Sequence, residues 1–163
     1  QADFFIPPGG FVAAEHIHPL QEERFEVLAG LLRGRAAGRE VTAGPGETVI
    51  IPAGTPHVWW NDGQDELHAL VELRPALGAE TFFASLFGLA QDGKTSPRTG
   101  LPNPLQLAVI MRAHRDLIIL ARPARPVQAA LFGALALIGR RLGYKAAYPY
   151  PRARPTHTGP PRS

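Results

Sequence analysis

The sequence predicts a mainly β domain followed by an α-helical extension of about three helices. Three observations carry that reading. Up to about Pro75 the chain runs in short alternating stretches broken by glycine and proline, as an antiparallel all-β domain should. Beyond Pro75 the apolar residues recur at helical spacing instead. The charge changes sign at the same place: residues 1–77 hold five basic against eleven acidic side chains, a net −6, and residues 78–163 hold twelve against three, a net +9. The chain therefore divides into a β domain over 1–77 and a helical extension over 78–163. The 17 prolines and 17 glycines fall between dense apolar stretches in a chain that is 45% hydrophobic, so they mark turns around a packed core.

The expected strands are Asp3 to Ile6, Phe11 to His18, Arg24 to Leu28, Leu31 to Ala36, Arg39 to Thr42, Thr48 to Ile51, His57 to Trp60 and Glu66 to Leu73. Pro7-Pro8-Gly9-Gly10, Ala37-Gly38, Gly44-Pro45-Gly46 and Asn61-Asp62-Gly63 supply turns between them. Ala79 to Gln91 carries Phe82, Phe83, Leu86, Phe87 and Leu89 on a helical period and ends at Asp92-Gly93. Asn103-Pro104 opens a second helix that reads through Leu105 to Leu120 and closes at Arg122-Pro123. Pro126 to Leu142 forms a third, with Gly143 as its stop. The Pro/Arg-rich tail from about Tyr148 has too little apolar content to fold alone.

Several classes are excluded at this level. Without cysteine there is no disulfide and no thiolate site, so any metal must be held by nitrogen and oxygen. The longest apolar run, Val127 to Gly139, is too short to span a bilayer, and no membrane association is expected. The basic second half shows no helix-turn-helix spacing, and its apolar runs suit packing better than reading DNA, so no nucleic-acid partner is expected. The sequence opens on Gln1 directly into a strand-like run, which suggests that residues precede it. No signal peptide is visible, and the expected location is cytoplasmic.

The chemistry is concentrated in HIHPLQEERF, residues 16–25. In a strand, alternate side chains share a face, so His16 and His18 can grip one ion, although an H-x-H pair alone is weak evidence. Two adjacent glutamates follow, Glu22 and Glu23. The wider spacing is more specific. Gly10, five residues, His16, one, His18, four, Glu23, six, Gly30 is followed after fifteen residues by Gly46, five, Pro52, one, Gly54, two, His57, three, Asn61. Both patterns resemble the two conserved motifs of the cupin superfamily, with no position out of place. The resemblance covers roughly residues 3 to 75.

It implies a cupin β-barrel, a jelly-roll-like double-stranded β-helix, holding one divalent transition metal ion (Fe, Mn, Ni, Zn or Cu) on His16, His18, Glu23 and His57. Three neutral imidazoles and one carboxylate suit a first-row ion and leave positions open for water, dioxygen or a chelating substrate. In that register Glu23 is the ligand and Glu22 faces away. Gly30 and Gly46 fall where tight turns require positive φ, and Pro52-Ala53-Gly54 shapes the turn that delivers His57.

Alternation places Phe25, Val27, Trp59 and Asn61 inward: the first three as an apolar wall, Asn61 as a turn or supporting hydrogen-bond group. Plain core packing is the alternative for each. His68 is the remaining histidine of the β domain and the candidate acid/base, with a surface or satisfied core position as its alternative; His114 and His157 are not assigned to the metal. Gln91 to Pro104 is long for a connector and could cover a mouth of the barrel or a partner.

Cupin barrels support many activities. The first expectation is a metal-dependent oxygenase-type enzyme acting on a small carbonyl, enol or aromatic substrate. The alternatives are a non-redox isomerase, decarboxylase or polyketide cyclase, and a non-catalytic small-molecule-binding or sensor module. An apolar helical layer must cover something, and a homodimer is expected.

Overall fold

A computed structural model describes residues 1–12 and 14–148; the tail beyond Tyr148, including His157, lies outside the described residues. Eight strands come first: β1 (Ala2–Ile6), β2 (His16–Ile17), β3 (Glu22–Ala29), β4 (Leu32–Ala36), β5 (Arg39–Ala43), β6 (Thr48–Ile51), β7 (His57–Trp60) and β8 (Leu67–Arg74). Then follow α1 (Ala79–Gln91), α2 (Pro104–Ala113), a ninth short strand β9 (Ile119–Leu120) and α3 (Arg125–Arg141).

The strands form two antiparallel sheets, ordered β1-β8-β3-β6 and β5-β4-β7-β2-β9. Their inner faces share one core. Phe25 and Val27 of β3, Ile51 of β6 and Leu67, Ala69 and Val71 of β8 meet Leu32, Ala43 and Trp59 from the other sheet. Strict alternation drives this: β8 reads buried at Leu67, Ala69, Val71 and Leu73 and more exposed at the residues between. Each fully buried side chain of this kind contributes about 1.5–3 kcal/mol of transfer free energy. The result is the two-sheet antiparallel architecture that the alternation predicts, with the jelly-roll layout that the resemblance implies.

Turns fall where the glycines allow them. Gly30 has φ +75° between β3 and β4, and a Cβ there would lie 2.6 Å from the Glu66 carbonyl oxygen, so neither the conformation nor the space admits a side chain.

Two elements depart from the sequence expectation. The expected strand Phe11 to His18 is reduced to a bridge at Phe11 and the two residues of β2. The backbone before β2 serves other partners: Val12 N–H donates to the Trp59 carbonyl, and the Ala14 carbonyl accepts from the His16 ring. The expected second helix, Leu105 to Leu120, stops at Ala113. His114 caps it, its ring Nδ1 donating to the Ile110 carbonyl at 3.0 Å, and Leu117 and Ile118 N–H both turn back onto the His114 carbonyl. Of the apolar run Ile118-Ile119-Leu120, read as helix, Ile119 and Leu120 enter the second sheet as β9 and pair with β2.

The remaining helices match. Asn103 Oδ1 accepts from the backbone N–H of Leu105 and Gln106, as an N-cap asparagine before Pro104 should. α3 closes at Leu142, followed by Gly143 with φ +89°. The helices pack on one another and against the β domain through Leu73, Phe82, Leu89, Ile110, Met111 and Leu117. Among the described residues, no helix is long and apolar enough to cross a membrane.

Candidate metal centre

β2, β3 and β7 bring His16, His18, Glu23 and His57 together, one ligand atom from each lying within 4.8 Å of the others. All four are buried, from 0% exposed for His57 to 6% for His16. His16 faces His57 directly across the β2–β7 ladder, His18 follows two residues on, and Glu23 enters from the opposite sheet at the start of β3. Glu22, one step earlier, is exposed.

The orientation of the rings is set by the backbone. His16 Nδ1 bonds the Ala14 carbonyl at 3.0 Å, His18 Nδ1 the Leu117 carbonyl at 2.7 Å, and His57 Nδ1 the Thr55 carbonyl at 2.8 Å. A carbonyl can only accept, so each Nδ1 carries a hydrogen and Nε2 is the ring nitrogen left for the cluster. His57 Nε2 lies 2.8 Å from Glu23 Oε2, and His18 Nε2 lies 3.7 Å from Glu23 Oε1. Although the first distance is that of an ion pair, neither His57 Nε2 nor Glu23 Oε2 has a hydrogen bond of sound geometry among the described residues. Two buried polar atoms at that distance call for a proton or a cation between them, and a metal held by nitrogen and oxygen meets that need.

The electrostatics agree. Burial, reinforced by the neighbouring His57, lowers the His16 pKa to about 4, and burial lowers that of His18 as well. Burial also pushes the Glu23 carboxyl upward, but His57 and the other imidazoles outweigh it and hold the group below its ordinary value. At neutral pH the cluster thus offers neutral imidazoles at His16 and His18 beside a carboxylate, the protonation states metal ligands need.

Around the cluster, Phe25 and Trp59 are buried with ring centroids 4.7 Å apart, Trp59 lies 5.9 Å from the His57 ring, and Val27 is fully buried behind Phe25. All three face inward, as the alternation predicts. Asn61 is also buried but anchors a turn: its Nδ2 donates to the Ile6 and Asp65 carbonyls, and its Oδ1 accepts from Gly63 N–H.

His68 is the position that changes. On β8 it falls between buried Leu67 and Ala69, so it faces outward, stacks on Phe5 and bonds Asp3 at 2.8 Å. The phase that turns Leu67 and Ala69 into the core turns His68 out of it, and the candidate acid/base does not reach the cluster. The link 91–104 lies against the helical part, where Lys94 and Asn103 line a cavity of about 480 Å³ with Leu142, Tyr144 and Tyr148.

Three contributions were not readable from the motifs. Gly34 on β4 stands opposite Trp59, and a Cβ there would lie 2.1 Å from the indole Cε3, so the indole occupies the space that glycine leaves. Gln21, fully buried, donates its amide to the Pro75 and Ala76 carbonyls. Leu117, ninety-nine residues from His18 in sequence, supplies the carbonyl that fixes that ring. Glycine at an inward strand position was the one available signal; the other two are backbone contacts with no sequence signature.

Comparison with known proteins bears on the same segment. The sequence profile described as "Cupin domain" matches residues 2–71. A search of curated proteins returns no match. Among solved structures, a provisionally named sugar phosphate isomerase from Acidithiobacillus ferrooxidans is 30% identical, with 42% of this chain and 45% of that one covered and a TM-score of 0.40. A provisionally named oxalate decarboxylase from Thermotoga maritima is 25% identical, with 44% and 61% covered and a TM-score of 0.41. The Cnp3 cupin domain of Schizosaccharomyces pombe is 14% identical, with 42% and 50% covered and a TM-score of 0.40. The chain thus spans 45–61% of the length of these three proteins. With both motifs and the profile match falling on the same residues, within the two-sheet architecture, the segment 2–71 is a cupin domain.

Proposed function

We propose that the protein binds one divalent transition metal ion (Fe, Mn, Ni, Zn or Cu) through Nε2 of His16, His18 and His57 and the carboxylate of Glu23, and that it is an oxygenase-type enzyme acting on a small carbonyl, enol or aromatic compound. The observation that carries the metal is the triple commitment of Nδ1–H to backbone carbonyls, which leaves three Nε2 atoms beside one carboxylate. Such an ion would supply Lewis acidity and, when redox-active, access to electron transfer with a bound small molecule.

The chain's own residues do the rest. Trp59, buried beside the His57 ring, and Phe25, packed on Trp59, supply an apolar wall to the cluster. Trp59 Nε1 is buried with no hydrogen-bond partner among the described residues, a donor suited to an oxygen on a small flat ligand. The non-redox alternative needs a proton-transfer base, and the outward turn of His68 removes its one candidate histidine.

A sensor module is retained as the second reading, because the Leu117 carbonyl ties the cluster to the helical half. A homodimer belongs to the same proposal, supported by Val127, Leu131, Ile138 and Leu142, all about half-exposed or more along α3. So do a cytoplasmic location and the absence of a nucleic-acid partner. The deciding experiment is metal analysis of protein purified without chelators, followed by oxygen-uptake assays on diketones, flavonols and hydroxyaromatics. Bound Fe, Mn, Ni or Cu with uptake on one class supports the oxygenase; full zinc occupancy with no uptake overturns it.

A further inference from the structure

We propose that the C-terminal helical layer is part of the metal centre, with Gln128 of α3 as a positioning residue that acts on His18 through β9 and the Leu117 carbonyl. The inference rests on the metal reading above and adds to it a dependence on residues outside the cupin motifs.

The connection runs through backbone groups. His18 is the one cluster imidazole whose carbonyl partner is distant in sequence: His16 and His57 each bond a carbonyl two residues earlier, whereas His18 bonds Leu117. The first two rings are therefore fixed by their own turns. The third is fixed only if the segment after α2 is in place.

That segment is held from both sides. On the inner side β9 pairs with β2, Leu120 opposite His16 and Ile119 opposite Ile17, and Ala121 N–H donates to the Glu15 carbonyl. On the outer side Gln128, 5% exposed, takes both backbone groups of Leu120: its Oε1 accepts from Leu120 N–H at 3.1 Å and its Nε2 donates to the Leu120 carbonyl at 2.8 Å. Nε2 also donates to the Pro123 carbonyl at 2.5 Å. In an antiparallel pair, a residue whose N–H and C=O point away from its partner strand leaves both for the next strand. β9 is the edge of its sheet, and the Gln128 amide takes the place of that next strand. A two-residue strand has little ladder of its own, so its position depends on this clasp.

The test uses the full chain and zinc(II). Gln128→Met keeps the volume of the side chain and removes its three hydrogen bonds. Supporting groups that orient metal-bound histidines change affinity by roughly 10–100-fold when removed. We expect zinc affinity, measured by competition with a chromophoric chelator well below the unfolding temperature, to fall at least about tenfold. Nitrogen-15 NMR of the metal-free protein should show the His18 ring leaving its single Nδ1–H tautomer while His16 and His57 keep theirs. A general loss of stability would not select one ring of three. Zinc affinity and a His18 tautomer both unchanged in folded Gln128→Met overturn the proposal. Should that variant not fold, hydrogen exchange of the wild-type protein decides: zinc must slow exchange at Leu120 and Ala121, and no slowing there overturns the proposal. Wild-type protein that binds no zinc ends the metal reading instead, while the tautomer comparison still decides the role of Gln128.

Discussion

His57 Nε2 and Glu23 Oε2 stand 2.8 Å apart inside the β domain, each without a well-formed hydrogen bond among the described residues. Because the His57 ring gives its Nδ1 hydrogen to Thr55, the contact requires a proton or a cation to hold it together. Glu23→Gln removes the negative charge while keeping the shape. Zinc affinity should fall by more than about tenfold, and Glu22→Gln, at an exposed position, should leave it unchanged. Equal losses in the two variants would refute the register that assigns Glu23 to the cluster.

Acid should destabilise the metal-free protein before it affects most surface groups. Between pH 6.5 and about 4 the unfolded chain takes up a proton at His16 that the folded chain refuses, so stability falls as pH drops through that window. From about pH 7 to pH 5 the loss should be roughly 2 kcal/mol. Glu23 works in the same sense: its folded value lies below 4.5, so the stability it contributes is present above 4.5 and lost as pH falls through the folded value. Urea midpoints of chelator-treated protein at the two pH values check this, and a flat profile would contradict it.

Gly34→Ala should be strongly destabilising although it adds one methyl group. That methyl would sit 2.1 Å from Trp59 Cε3 and 2.6 Å from the Val58 carbonyl oxygen, so the indole or the strand must shift. Overpacking of this kind costs about 1–3 kcal/mol, occasionally more. Thermal unfolding measures the cost, and a near-UV signal from the tryptophans should change with it. An unchanged melting temperature would mean that the indole has other room.

His68→Ala should leave metal binding intact and cost less than about 1 kcal/mol, because its partner Asp3 is exposed and exposed pairs contribute little. Part of that cost comes from the Phe5 stacking, with ring centroids 4.2 Å apart. Loss of zinc affinity in this variant would return His68 to the list of residues that serve the site.

What was legible in the sequence was local or periodic. Alternation counted from Glu23 and His57 set the inward faces of β3 and β7, so Phe25, Val27 and Trp59 are buried where expected, and Glu22 is not. The four cluster residues were legible through the resemblance to the cupin motifs, whose turns of set length aim strands of set phase. Helix limits were readable where capping chemistry marked them, as at Asn103 and Gly143. The end of α2 was not, since Leu117 to Leu120 is apolar enough for either a helix or a strand, and only pairing with β2 selects the strand. The outward turn of His68 was undecidable for a similar reason: alternation gives two faces, and the choice between them comes from packing.

The carbonyl of Leu117 also orders events in time. A ribosome that has released the first 77 residues has made every side chain of the cluster, yet the acceptor for the His18 ring is still forty residues from being synthesised. Closing a loop of 99 residues carries a larger entropy cost than forming the short turns that orient His16 and His57. The cluster is therefore completed late in folding, by the part of the chain that contains none of its side chains.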